Sequence, residues 1–177
     1  MKALLDLLRD LMLFKRGPQD LPYSPAILAA ACVFAFVVDT AVARQFQLAD
    51  NVAARIAFSL AATLALPWLA LKLADREARF AQTATALVAT GAVFTLLMLP
   101  VLIGVGKMPE DPKQVTGTQA LLALVSFAIV VWQLGVRGHI LRHALDVPLR
   151  RGVLIAVVFY AVELVVAALV FGGGSRA

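Results

Sequence analysis

The sequence predicts an all-α polytopic membrane protein, a bundle of five transmembrane helices preceded by an amphipathic interfacial helix. Three observations predict it. The 177 residues are 62% hydrophobic and only 15% charged, against roughly 45–50% apolar and about 25% charged in soluble domains. The apolar residues are gathered into five runs, each near the ~20 residues that cross a ~30 Å hydrocarbon core. The charges fall almost wholly in short segments between those runs. A soluble chain of this length has too little interior for so much apolar surface, so lipid is the expected solvent.

The first element, within residues 1–16, reads as a helix. Lys2, Asp6, Arg9 and Asp10 recur at helical spacing on one face, and Leu4, Leu5, Leu7, Leu8, Leu11 and Met12 cover the rest. Asp6, Arg9 and Asp10 interrupt what a signal peptide keeps uncharged. We therefore expect a helix lying in the membrane interface, with packing against the protein's own cytoplasmic loops as the alternative. Residues 17–24 follow as a Pro-rich linker, since Gly17, Pro18 and Pro22, with Pro25 just beyond, do not continue a helix.

The five-helix transmembrane domain is expected over residues 25–172. Its spans run from Pro25 to Ala43, Val52 to Leu73, Thr83 to Val105, Val115 to Val136 and Pro148 to Phe171, and a short tail follows at 173–177. Lys72 ends the second span by snorkelling. The third and fourth spans carry no charge. Ala53, Ala57, Ala61 and Ala65 recur every fourth position on the second span, a ridge that lets a neighbouring helix approach closely. Pro67 and Pro100 kink the second and third spans. Trp132 and Tyr23 read as interface anchors.

Orientation follows from the Lys/Arg bias. With the N-terminus cytoplasmic, eleven basic residues lie in inner segments and five in outer ones, as the positive-inside rule requires. The C-terminus is then periplasmic, in a bacterial inner membrane. Lys15, Arg16, Arg137, Arg142, Arg150 and Arg151 are expected to meet anionic lipid headgroups. The net charge of +5 is absorbed by this topology, and no aromatic–basic interleaving suggests a nucleic-acid partner.

Glu163 stands near the middle of the fifth span, where an ionisable side chain costs about 2.5–3.5 kcal/mol. It should face the bundle. Thr63, Thr95 and Ser126 lie at matching depth in the second, third and fourth spans. Pro67 frees the carbonyl of Thr63, four residues earlier, as a further acceptor. Two readings stay open: a proton or ligand site, or a polar clamp that fixes helix packing. Asp39, nearer the outer end of the first span, is expected to pair with Arg44 or Arg55. Its different depth argues against acid–base work shared with Glu163.

His139 and His143 share a helix face at i, i+4, a metal-ligand spacing. No third ligand accompanies them, and they read as interfacial basic residues continuing the fourth helix. Cys32 alone forms no disulfide or metal cluster and reads as a small buried hydrophobe. No catalytic residues, metal site or cofactor is expected, since the chain has no phosphate loop, Ser/His/Asp set or CxxC pair.

The layout resembles the Yip1 family of five-span membrane proteins. The resemblance is carried by the short N-terminal segment with its Pro-rich lead into the membrane, by five closely spaced spans, and by the region from Val131 to Gly152. There Val131-Trp132-Gln133-Leu134-Gly135-Val136 precedes a basic helical stretch and Leu145-Asp146-Val147-Pro148-Leu149-Arg150-Arg151-Gly152. It implies a non-enzymatic factor that organises lipids or partner proteins. The expected function is therefore a scaffold, assembly factor or membrane organiser, with membrane lipids, other membrane proteins or a second copy as partners. The alternative is a small transporter or proton-coupled carrier using Glu163.

Overall fold

The computed structural model describes residues 2–46, 51–106 and 114–171. The turn-rich loop expected over 107–113 and the tail expected over 173–177 lie outside them. The described residues form six α-helices: α1 (Lys2–Met12), α2 (Pro25–Gln45), α3 (Val52–Leu73), α4 (Phe80–Val105), α5 (Gly117–Leu145) and α6 (Leu149–Phe171). Short 3₁₀ turns at Pro18–Asp20 and Glu77–Arg79 lead into α2 and α4. Helices α2 to α6 are long and apolar enough to cross a membrane, and the chain is a polytopic membrane protein built as a five-helix bundle behind a short N-terminal helix. The spans differ from the expected ones mainly at their ends: α4 begins at Phe80 rather than Thr83, and α5 continues unbroken to Leu145 rather than Val136.

Local chemistry sets these limits. Ser24 opens α2 by accepting the Ile27 N–H at 3.3 Å, with Pro25 at the first helical position. Thr116 and Gln119 open α5 with a reciprocal capping box, at 3.2 and 3.1 Å. Asp146 closes α5 in the left-handed region, at φ 54°, and Pro148 just beyond has no N–H to continue the ladder.

Helix α4 is central. Its residues from Thr83 to Val88 are all buried, and its threonines return their hydroxyls to carbonyls one turn back, Thr83 to Arg79 at 2.8 Å, Thr85 to Ala81 at 2.7 Å and Thr90 to Ala86 at 2.7 Å. A polar side chain is thereby satisfied without leaving its own helix. The main core gathers Leu87 and Phe94 of α4, Val136, Ile140 and Leu141 of α5, Ala156 of α6, and Leu11 and Met12 of α1. A second cluster joins Ala35 of α2 to Val88 and Ala92 of α4, with half-buried Cys32 beside it.

Helix α1 is packed onto α4 and α5, so part of its apolar face is taken up by the bundle. The Trp132 indole N–H donates to the Met12 carbonyl at 3.1 Å and its ring meets Phe94 edge-on at 5.0 Å. Trp132 therefore ties the N-terminal helix to the bundle while 36% exposed. Tyr23 is 68% exposed. His139, expected at the interface, is 2% exposed. Its Nε2 lies 2.8 Å from the Arg16 carbonyl, and its ring meets Phe14 edge-on at 5.2 Å.

Close helix approach occurs where the sequence reading did not place it. A Cβ on Gly138 of α5 would lie 2.7 and 2.8 Å from the Val153 Cα and N of α6. One on Gly152 of α6 would run into the Gly138 carbonyl and come within 2.9 Å of the Arg142 Cβ. The crossing of α5 and α6 thus depends on two glycines. By contrast Ala53, Ala57, Ala61 and Ala65 of α3 are all exposed. It repeats every fourth residue, but burial in this bundle selected a different face.

Candidate functional site

Helices α2 to α6 together line a cavity of about 480 Å³. Each helix contributes a polar group to its lining: Asp39 from α2, Ser59 and Thr63 from α3, Thr95 from α4, Gln133 and Arg137 from α5, and Tyr160 and Glu163 from α6. Between them stand apolar walls that include Leu60, Val88, Phe94 and Met98.

Glu163 faces this cavity and accepts a hydrogen bond from the Ser59 hydroxyl. Ser59 precedes Thr63 by one turn of α3 and occupies the same face. The acceptor expected from Pro67, the Thr63 carbonyl, belongs to the residue next along that face. Thr63, Pro67, Arg137 and Glu163 also border a small adjoining cavity of about 20 Å³, enough for one water molecule. A carboxyl and a guanidinium thus border one water-sized space.

Asp39 lines the same cavity as Glu163, although their sequence depths suggested separation. Asp39 does not pair with Arg44 or Arg55 among the described residues. Thr95 and Arg137 line the cavity with it, and its Oδ1 is buried without a hydrogen-bond partner. Arg55 sits at the cavity's outer end, donating to the Phe171 carbonyl at 3.3 Å and lying 4.9 Å over the Phe171 ring.

Arg137 corrects the sequence reading most. It was expected among the residues meeting lipid headgroups, but it lines both cavities with Glu163 and is half-buried, its Nε buried without a partner. The physical reason is the length of α5. Because the helix runs unbroken to Leu145, Arg137 lies about two turns inside its end and not on the loop. Arg142, also expected at the headgroups, is half-buried and makes a 3.2 Å contact with His143 Nε2. Lys15, Arg16, Arg150 and Arg151 are exposed, as contact with headgroups would require. Of the three residues grouped with Glu163 by depth, Thr63 and Thr95 line its cavity. Ser126 does not: its hydroxyl returns to the Leu122 carbonyl of α5 at 3.0 Å.

The opposite end of the bundle is tied shut. Arg76 and Arg79, after α3, both bond Asp146 at the end of α5. Arg79 also donates to the His143 carbonyl at 3.0 Å, capping α5 where its carbonyls lack helical partners. The Gln82 amide reaches the Leu21 carbonyl at 2.6 Å, fastening the linker to α4. Hydrogen bonding from Arg76, with the charges of Arg76 and Arg79, holds the Asp146 carboxyl below its usual range.

Ser59, Gln133, Arg137 and Tyr160 are the site residues that sequence reasoning missed. A helical wheel drawn on Glu163 finds only Tyr160, three residues earlier on α6, because Ser59 lies on α3 and Gln133 and Arg137 lie on α5. Arg137 carried one available signal: no proline or Asn/Asp turn residue stands between the fourth apolar run and it. Comparison with protein-family models, with curated proteins and with solved structures finds no match.

Proposed function

We propose that this polytopic membrane protein is a small, non-enzymatic carrier that binds a polar solute between its helices and couples its passage to protonation of Glu163. One observation carries the reading: Asp39, Arg137 and Glu163, from three different helices, line a single cavity of about 480 Å³. A structural clamp needs one polar pair. Three ionisable side chains within spans, at about 3 kcal/mol each if placed in lipid, are too many for packing alone. Ligand sites in bundles lie between helices, in cavities of roughly 300–1,000 Å³.

The basic residues favour a membrane placement with the N-terminus in the cytoplasm and the C-terminus in the periplasm of a bacterial inner membrane. Lys15, Arg16, Arg150 and Arg151, all exposed, then meet anionic headgroups at the cytoplasmic face.

The test is flux through proteoliposomes under an imposed pH gradient. Wild-type protein carries protons and Glu163→Gln does not, while Gln keeps the bond from Ser59 and the fold. Flux that is unchanged in Glu163→Gln, or absent from wild type, removes the carrier reading.

A second reading, a scaffold or assembly factor as the Yip1-like layout implies, is favoured by the exposed ridge of Ala53, Ala57, Ala61 and Ala65 on α3. Such a ridge suits a helix of another membrane protein or a second copy. Stable co-purification of a partner that is lost in Ala57→Leu, together with absence of flux, would favour this second reading.

A further inference from the structure

We infer that the half of α6 from Tyr160 to Phe171 is a strap that closes the cavity against α3 and swings open about the Gly138–Gly152 crossing. The inference goes beyond the carrier reading, because it concerns how the cavity opens and not what it takes.

The two halves of α6 are held differently. Gly152 and Ala156 are buried, Ile155 and Phe159 pack on the main core, and the backbones of α5 and α6 meet at Gly138 and Gly152. No residue from 157 to 171 is buried, and Leu164, Val165, Leu169 and Val170 are all exposed. Apolar side chains in lipid gain no hydrophobic attraction by packing on a neighbouring helix. Polar and ring contacts therefore keep this half in place, and among the described residues they run to α3. The Ser59 hydroxyl donates to Glu163. Arg55 donates to the Phe171 carbonyl at 3.3 Å, and Phe58 meets the Phe171 ring edge-on at 5.8 Å.

The latched seam is one wall of the cavity. Arg55, Ser59 and Thr63 of α3 and Tyr160 and Glu163 of α6 all line it, so parting the two helices opens it between them. Helix α6 is the one that moves. The facing half of α3 is also held by α2 and α4, where Leu60 and Leu64 pack against Ala35, Val88 and Ala92. No glycine or proline interrupts α6 after Gly152, so the helix tilts as a rigid lever. Leu164 lies about 18 Å along the helix from Gly152. A tilt of about 15° there carries Leu164 about 5 Å from α3.

Pulsed electron paramagnetic resonance on the full-length protein in lipid nanodiscs measures the motion. In a Cys32→Ala background, spin labels at Ala57→Cys and Leu164→Cys, both exposed, report the strap. Labels at Leu73→Cys and Leu149→Cys, also exposed, report the tied end of the same two helices. The strap pair gives two distances about 5 Å apart, and the tied pair gives one. Ser59→Ala raises the population at the longer distance by about threefold or more. If Ser59→Ala does not fold, Arg55→Gln removes the other polar latch and is read in the same way. Bridging the strap pair with a reducible bifunctional thiol reagent stops proton flux, and reduction restores it.

A single distance for the strap pair overturns the inference, and so do two distances whose populations ignore both latches. Flux that survives the bridge overturns it as well. Two latch-dependent distances without wild-type flux leave the strap standing and remove the carrier reading.

Discussion

Gly152 and Gly91 are both helical glycines in this bundle, and they do opposite things. At Gly152 the α5 backbone is so close that an added Cβ would strike the Gly138 carbonyl and crowd Arg142. At Gly91, on the wall of the cavity, nothing lies within 4 Å of the same added atom. One end of the bundle is closed by backbone contact and tied by Arg76, Arg79 and Asp146. The other spreads around Asp39, Arg137 and Glu163. The difference shows that polar residues at membrane depth collect where the helices part, because only there can a charged group avoid both lipid and a tightly packed neighbour.

Substitution at the two glycines gives the largest expected contrast. Gly152→Val should destabilise the protein by roughly 1–3 kcal/mol or more, since backbone and not a flexible side chain stands in the way. Gly91→Ala should instead gain up to about 1 kcal/mol from helix propensity, with only a methyl group lost from the cavity. Thermal melts of the two variants in one detergent measure both. Equal destabilisation would mean that the cavity wall is packed as tightly as the crossing.

A smaller effect is expected where α1 meets the bundle. Trp132→Phe removes the donor to the Met12 carbonyl while keeping a ring against Phe94. The loss should be about 0.5–1.5 kcal/mol, concentrated in faster amide exchange over residues 2–16. Unchanged exchange there would show that α1 is held by its leucines alone.

The smallest effect concerns pH at the tied end. Arg76 and Arg79 lower the Asp146 pKa in the folded state, so the unfolded chain binds more protons in that range. The stability this contributes is present above the unfolded carboxylate value of 3.8 and is lost as pH falls through the lower folded value. Between pH 7 and 5, Asp146→Asn should therefore lower the melting temperature by a constant amount. The gap between the two proteins should close in strong acid. A gap that widened on acidification would contradict the ion-pair assignment. Asp146 is exposed, so the whole effect should shrink with added salt.

The five spans were legible because lipid reads composition and length, and both are one-dimensional. Runs of ~20 apolar residues have few alternatives, and Ser24-Pro25, Thr116 with Gln119, and Pro148 mark helix ends through bonds made within a few residues. Glu163 was legible for the same reason: depth within a span is a property of sequence, and so is the cost of a charge there. Thr63 and Thr95 could be ranked by depth with it, but so could Ser126, which bonds within its own helix instead.

Depth does not give azimuth. Which face of each helix turns inward is set by packing among all five, and the sequence period alone chose Ala53, Ala57, Ala61 and Ala65 where the bundle chose Gly138 and Gly152. The tertiary structure alone decided that Arg137 leaves the headgroup region for the cavity and that Ser59 reaches Glu163. It also decided that Asp39 and Glu163 share one space. These are relations between helices distant in the chain, and they exist only once the bundle has fixed every rotation together. The sequence determined a five-helix membrane protein with a costly carboxylate inside it, and the fold determined the cavity that this carboxylate faces.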